Sequence, residues 1–238
     1  MTHFCYCCDV PATTDEHVPP QCLFPAAKDL PVGVDLRKNL ITVPSCPEHN
    51  QSKSGDDEYL MYVLSMNLPV NAIAEHHFST KVWRAIDRRP ALVNRMLASS
   101  KLALVRDPKT GEIFESAQLD IEEDRIYRSF ELIVLGLYRH HFSARWKGRI
   151  RVLPEFMRFA DLPHAAAHNT HIEFISAKAD QLFRGCNYYG ENPEVFRYQL
   201  FNEQGSQIVM RLHFYEGARV LAFFESGEDG SPSLGRTT

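Results

Sequence analysis

The chain has 238 residues, 44% hydrophobic and 24% charged, with a formal net charge of −4. That is the make-up of one large globular domain or two small ones. It holds no apolar run of the roughly 18 residues that a membrane span needs, so no membrane partner is expected, and its mildly acidic balance excludes a nucleic-acid grip spread over the whole surface.

The N-terminal stretch MTHFCYCCDV has neither a basic n-region nor an apolar h-region, so a cytoplasmic protein is expected. In that compartment six cysteines serve metal more readily than disulfides. The charge is unevenly spread. Residues 1–60 carry four lysines and arginines against nine carboxylates, whereas residues 81–106 carry seven against Asp87 alone. A second basic segment runs from Arg139 to Arg158. A phosphate grip would therefore come from the middle of the chain.

In chain order, residues 3–10 read as a knuckle in which cysteines flank a tight turn, and residues 13–18 as a short strand ended by Pro19-Pro20. Residues 21–38 are loop-like, Leu40 to Val43 make a second short strand, and Ser45 to Asn50 a second knuckle. A helix is predicted from Asn50 to about Met66, interrupted or restarted near Gly55, and a boundary at Asn67 to Asn71, where Pro69 breaks the pattern. Two helices follow over residues 72–89 and 90–101, then a hairpin over 102–115 turning at Asp107 to Gly111. Residues 121–143 have the spacing of a long amphipathic helix. Val195 to Phe201, Gln207 to Tyr215 and Arg219 to Phe224 alternate as a three-stranded antiparallel meander, and residues 226–238 have the composition of a disordered tail.

The spacing C-x2-C (Cys5, Cys8) and C-x2-H (Cys46, His49) assembles a Cys3His zinc set, since two knuckles can supply two ligands each to a tetrahedral ion. Cys7 is an alternative to Cys8, but only Cys5 with Cys8 has the usual knuckle spacing. A module of about 60 residues has a marginal core, and a structural zinc supplies folding energy it lacks.

Between and after these knuckles lie Glu16-His17-Val18-Pro19-Pro20, Asn39-Leu40, and Asn50-Gln51-Ser52-Lys53. The set resembles the HNH endonucleases, a branch of the ββα-metal nucleases, over residues 3–60. The resemblance implies that His17 is the general base, that Glu16 and Asn50 hold a catalytic Mg2+ or Mn2+, and that Asn39 fixes the loop and helps orient His17. It implies cleavage of phosphodiester bonds leaving 5′-phosphate and 3′-hydroxyl ends. The sequence departs from the pattern in having Asn50 where His is common, His49 where Cys is common, and Gly33 alone where a Gly pair is usual.

The expectation is thus an α+β chain: an N-terminal zinc-stapled ββα-metal nuclease module (residues 1–66), an α+β region of helices and a C-terminal β-meander (67–225) for specificity or partner binding, and a tail. The expected substrate is DNA, with Lys53, Arg84, Arg88 and Arg89 on the nucleic acid. The sequence leaves open RNA as substrate, a non-cleaving zinc-stapled binding module, a toxin or phage-defence subunit controlled by a partner, and homo-oligomers through the C-terminal region.

Overall fold

The computed structural model describes residues 4–68, 70–106, 111–159, 163–203 and 207–226. Pro69, the turn residues 107–110, residues 204–205 between two expected strands and the tail from residue 227 lie outside the described residues.

The chain is α+β. Strands β1 (Thr14–His17) and β2 (Thr42–Ser45) pair antiparallel, with His17 opposite Thr42 and Glu16 opposite Val43. Helix α1 (Pro47–Gln51) follows at once, with Pro47 at its first position, and α2 (Ser54–Met66) comes after a two-residue break. The interruption expected near Gly55 falls at Ser52-Lys53, and the first helix begins at Pro47, before the expected start at Asn50. Residues Tyr59 to Ser65 of α2 are all buried, so this part of the helix is enclosed on every side rather than amphipathic, while its first turn, with Ser54 and Gly55, is exposed.

Helices α3 (Ala72–His77) and α4 (Trp83–Arg88) are one rod joined through a π-helical segment, Phe78–Val82. Asn71 caps it by accepting the N–H of Ala74 at 3.1 Å. After α5 (Pro90–Ala98) comes the hairpin β3 (Lys101–Arg106) and β4 (Ile113–Gln118), then the long helix α6 (Glu123–Phe142). Ile126, Phe130, Ile133, Val134 and Leu137 of α6 are buried at the helical spacing seen in the sequence.

The meander is part of a larger sheet. Strands β5 (Arg149–Pro154), β6 (Tyr188–Asn192), β7 (Phe196–Glu203), β8 (Gln207–Phe214) and β9 (Ala218–Glu225) lie antiparallel in the order β5-β9-β8-β7-β6, and α7 (Ala165–Leu182) precedes β6. The alternation along β8 explains the layering. Ile208, Met210, Leu212 and Phe214 face the main core with α6 and the N-terminal segments, whereas Val209 joins Ala179 and Phe183 on the α7 side. On that second face Arg211 is buried and makes two bonds to Glu155, at 2.9 and 2.6 Å, and one to Asp180 at 2.5 Å. The basic segment Arg139 to Arg158 is largely absorbed by the fold: Arg145 pairs with Asp9 and Arg151 with Glu225.

One hydrophobic core runs from Cys5 and Leu23 through Leu60 and Phe130 to Phe214 and Tyr215. Packing thus crosses the boundary drawn at residue 66. One close approach across it is at Gly136 of α6, where an added Cβ would lie 2.6 Å from Cγ2 of Val18. The Val18 side chain, on the residue that follows His17, packs against the helix where Gly136 has no side chain of its own.

His77 is fully buried, and its Nε2–H donates to the carbonyl of Cys22 at 3.0 Å. Burial pushes its pKa down from 6.5 to about 4, so the neutral ring is the native form. An unfolded chain would take up the proton first, so this stability is complete above the ordinary imidazole value and is lost as pH falls toward the depressed one. We expect thermal stability to decline between pH 6.5 and 4, with roughly 3 kcal/mol arising from His77. His77→Gln should flatten that part of the profile; parallel profiles for the two proteins would refute the assignment.

Candidate metal and catalytic centre

The two knuckles meet at the start of α1. Cys5 N–H donates to Val10 C=O at 2.9 Å and Tyr6 N–H to Pro44 C=O at 2.8 Å, which folds the first knuckle against β2. Cys46 sits at the N-cap of α1 and His49 within its first turn, so both point the same way. Cys8 Sγ lies 3.8 Å from Cys46 Sγ and 3.6 Å from His49 Nδ1, and Cys46 Sγ lies 3.2 Å from His49 Nδ1. All four ligand atoms of Cys5, Cys8, Cys46 and His49 fall within 4.8 Å of one another. A Zn–S bond of about 2.3 Å gives tetrahedral S–S edges of roughly 3.8 Å, so the spacing suits zinc. Burial pushes the Cys5 thiol up, but the backbone N–H groups of Cys7, Cys46 and Cys8 outweigh it and hold Cys5 below the ordinary thiol value. Cys7 is outside the cluster, and burial pushes its pKa up to about 12.

Asn50 follows His49 by one residue and so faces another way, toward β1. Its amide nitrogen donates to Thr14 Oγ1 at 2.9 Å and to Asp15 C=O at 3.2 Å. That commits the nitrogen to holding the strand and leaves the amide oxygen as the atom suited to a hard cation. Glu16, His17 and Asn50 line one cleft of about 460 Å³, together with Asp15, Asp57 and Glu58 and with Lys81, Arg88 and Arg89.

His17 is half-buried, and its pKa is lowered first by burial and then by the nearby Arg37 guanidinium, with Asp15 opposing. The neutral imidazole is the form that can accept a proton. Glu16 alternates to the other face of β1 and is buried. Its carboxylate is held by Lys53 Nζ at 2.8 Å, and the same ammonium lies 3.3 Å from Asp57 Oδ1. Burial raises the pKa of Glu16, and raises that of Asp57 to about 6, against the opposing pull of Lys53. Lys53, expected on the nucleic acid, is held in this structure as an internal counter-ion, 7% exposed. The sequence could not signal this: Asp57 stands four residues after Lys53, but Glu16 is brought in from a strand far upstream.

Asn39 adopts a left-handed backbone, φ 52°, in the turn before β2, a conformation that Asn tolerates. Among the described residues no hydrogen bond joins its side chain to His17. The floor of the cleft is the loop around Gln21–Leu23, whose carbonyls are met from a distance: Cys22 by His77 and by Lys81 Nζ at 2.9 Å, Leu23 by the hydroxyl of Tyr215, and Phe24 by Arg37 at 3.1 and 2.8 Å.

A second groove of about 690 Å³ adjoins the cleft, sharing Gln21, Cys22, Lys81 and Arg88 and adding Lys28, Arg37 and Arg84. Arg84 is tied to Asp29 at 2.7 Å, whereas Arg89 is strongly exposed and 3.9 Å from Glu58. The α3–α4 rod therefore turns its basic residues toward the cleft.

Purified protein should contain about one zinc per chain. Cys46→Ala should lose it and unfold at a markedly lower temperature, as should the parent after strong chelation. Metal analysis and thermal unfolding check both, and a zinc-free, equally stable parent would refute the cluster.

No protein-family model, curated protein or solved structure matches the chain.

Proposed function

We propose that residues 4–66 form an HNH-type ββα-metal nuclease module and that the protein is a divalent-metal-dependent endonuclease acting on DNA. The observation that carries this reading is the convergence of Glu16, His17 and Asn50 on one cleft whose opposite wall carries Lys81, Arg88 and Arg89. The order β1, β2, α1, with the zinc-type cluster on one side of α1 and the cleft on the other, gives each part a separate place.

The donors at the cleft fit a hard cation: the Glu16 carboxylate and the Asn50 amide oxygen, with Asp57 beside them, are oxygen ligands of the kind Mg2+ or Mn2+ accepts. Such an ion, when bound, neutralises charge on the phosphate and on the departing 3′ oxygen. His17 takes the proton from the attacking water at its imidazole. Arg88 and Arg89 hold flanking phosphates, and the basic groove continues the path for the strand. His17 lines the cleft and is half-exposed, so water reaches it.

Nicking of plasmid DNA should require added Mg2+ or Mn2+ and should fall on the order of 100-fold or more in His17→Ala, with zinc content and unfolding temperature unchanged. The assay is run in parallel on single-stranded DNA and RNA to identify the substrate. If His17→Ala cuts as well as the parent on every nucleic acid tried, the nuclease reading is wrong. A second reading, a zinc-stapled nucleic-acid-binding module that does not cut, draws on the retention of Glu16 by Lys53; it requires binding without cleavage by the parent itself.

Reversing Arg88 and Arg89 to Glu should weaken DNA binding and reduce the slope of log affinity against log salt by about 2. An unchanged slope would remove these residues from the interface.

A further inference from the structure

We propose that Lys53 is a tethered cation seated where the divalent metal binds, between Glu16 and Asp57, so that metal and lysine exchange for the same two carboxylates. The inference rests on the reading of Glu16 as a metal ligand, and it adds Asp57 to the ligand set and gives Lys53 a regulatory part.

Lys53 Nζ is 2.8 Å from Glu16 Oε1 and 3.3 Å from Asp57 Oδ1. Side-chain exposure is 8% for Lys53, 7% for Glu16 and 18% for Asp57. Lysine is almost never buried unless paired, and here one ammonium serves two carboxylates. The group carries a net charge of −1, so a divalent ion would complete the neutralisation that the lysine leaves half done. Both carboxylates line the cleft that His17 and Asn50 also line, so an ion arriving from solvent reaches them there, while Lys53 itself is not among the cleft's lining residues. Lys53 and Asp57 are one turn apart on the helical stretch leading into α2, whereas Glu16 comes from β1. The ammonium rides on a flexible four-carbon stem, so a metal that takes its seat would turn it out toward the cleft that both carboxylates line. There it would meet a phosphate, so the charge expelled from the metal seat becomes a contact for the substrate.

The test is Mn2+ titration calorimetry on the zinc-loaded full-length chain without nucleic acid, paired with the rise in unfolding temperature that Mn2+ produces. Lys53→Met should bind Mn2+ on the order of tenfold more tightly than the parent, because a competing charge has gone. Without Mn2+ it should unfold at a lower temperature, and Mn2+ should restore more stability to it than to the parent. Lys53→Arg, which keeps the charge and the fold, should bind Mn2+ more weakly than the parent, since a guanidinium holds carboxylates by two bonds. Asp57→Asn should weaken binding as well. Equal or weaker binding in Lys53→Met, or parental binding in Asp57→Asn, overturns the exchange while Glu16→Gln still abolishes the Mn2+ heat. If Glu16→Gln binds Mn2+ like the parent, the metal reading of Glu16 falls and this inference falls with it.

Discussion

Two strands of four residues each and a five-residue helix cannot bury a core of their own. Everything about the N-terminal module follows from that constraint. On one side the Cys3His cluster ties the knuckles to the first turn of α1, closing a chain segment that apolar contacts could not close. On the other side β1 and the loop after it are buried against α2, α6 and the turn after β8. The carbonyls of that loop are met by His77, Lys81, Tyr215 and Arg37, all far away in sequence. A loop that would otherwise run over the surface is thereby fixed as the floor of a cleft.

Charge is organised on the same plan. The acidic first segment and the basic α3–α4 rod are separate in sequence and face each other in space. Some of the positive charge is spent on structure: Arg84 on Asp29, Lys81 on a backbone carbonyl, Lys53 on two carboxylates. What remains toward solvent at the cleft is carried by Arg88 and Arg89. A net charge of −4 therefore says little about this surface.

The zinc-type cluster was legible because ligand spacing within a knuckle is local and the chemistry tolerates few alternatives, so Cys5, Cys8, Cys46 and His49 could be paired before any fold was known. The long helix α6 was legible because its burial is periodic, and strands β7 to β9 because branched and aromatic runs stand between turn signals, although β8 is buried on both faces. Other elements hid their pattern. Strand β5 is written as RIRVLP, and its arginines read as a basic patch when they are the outer face of a sheet edge. Helix α7 buries small or polar positions such as Ala165, Ser176 and Ala179, which give a weak apolar stripe. The partnership of Glu16 with Lys53 depends on a tertiary approach that no local pattern encodes.

The contact of Gly136 with Val18 makes α6 a brace. One flank of the helix is anchored in the sheet core, where Phe130 packs on Phe214 with ring centroids 5.8 Å apart. Farther along, its Gly136 receives the side chain of Val18, the residue directly after His17, with no Cβ of its own in the way. Interiors packed this tightly transmit displacement instead of absorbing it. The strand end that carries His17 is thus braced by the same helix that packs on the five-stranded sheet, so the two halves of the molecule share one support.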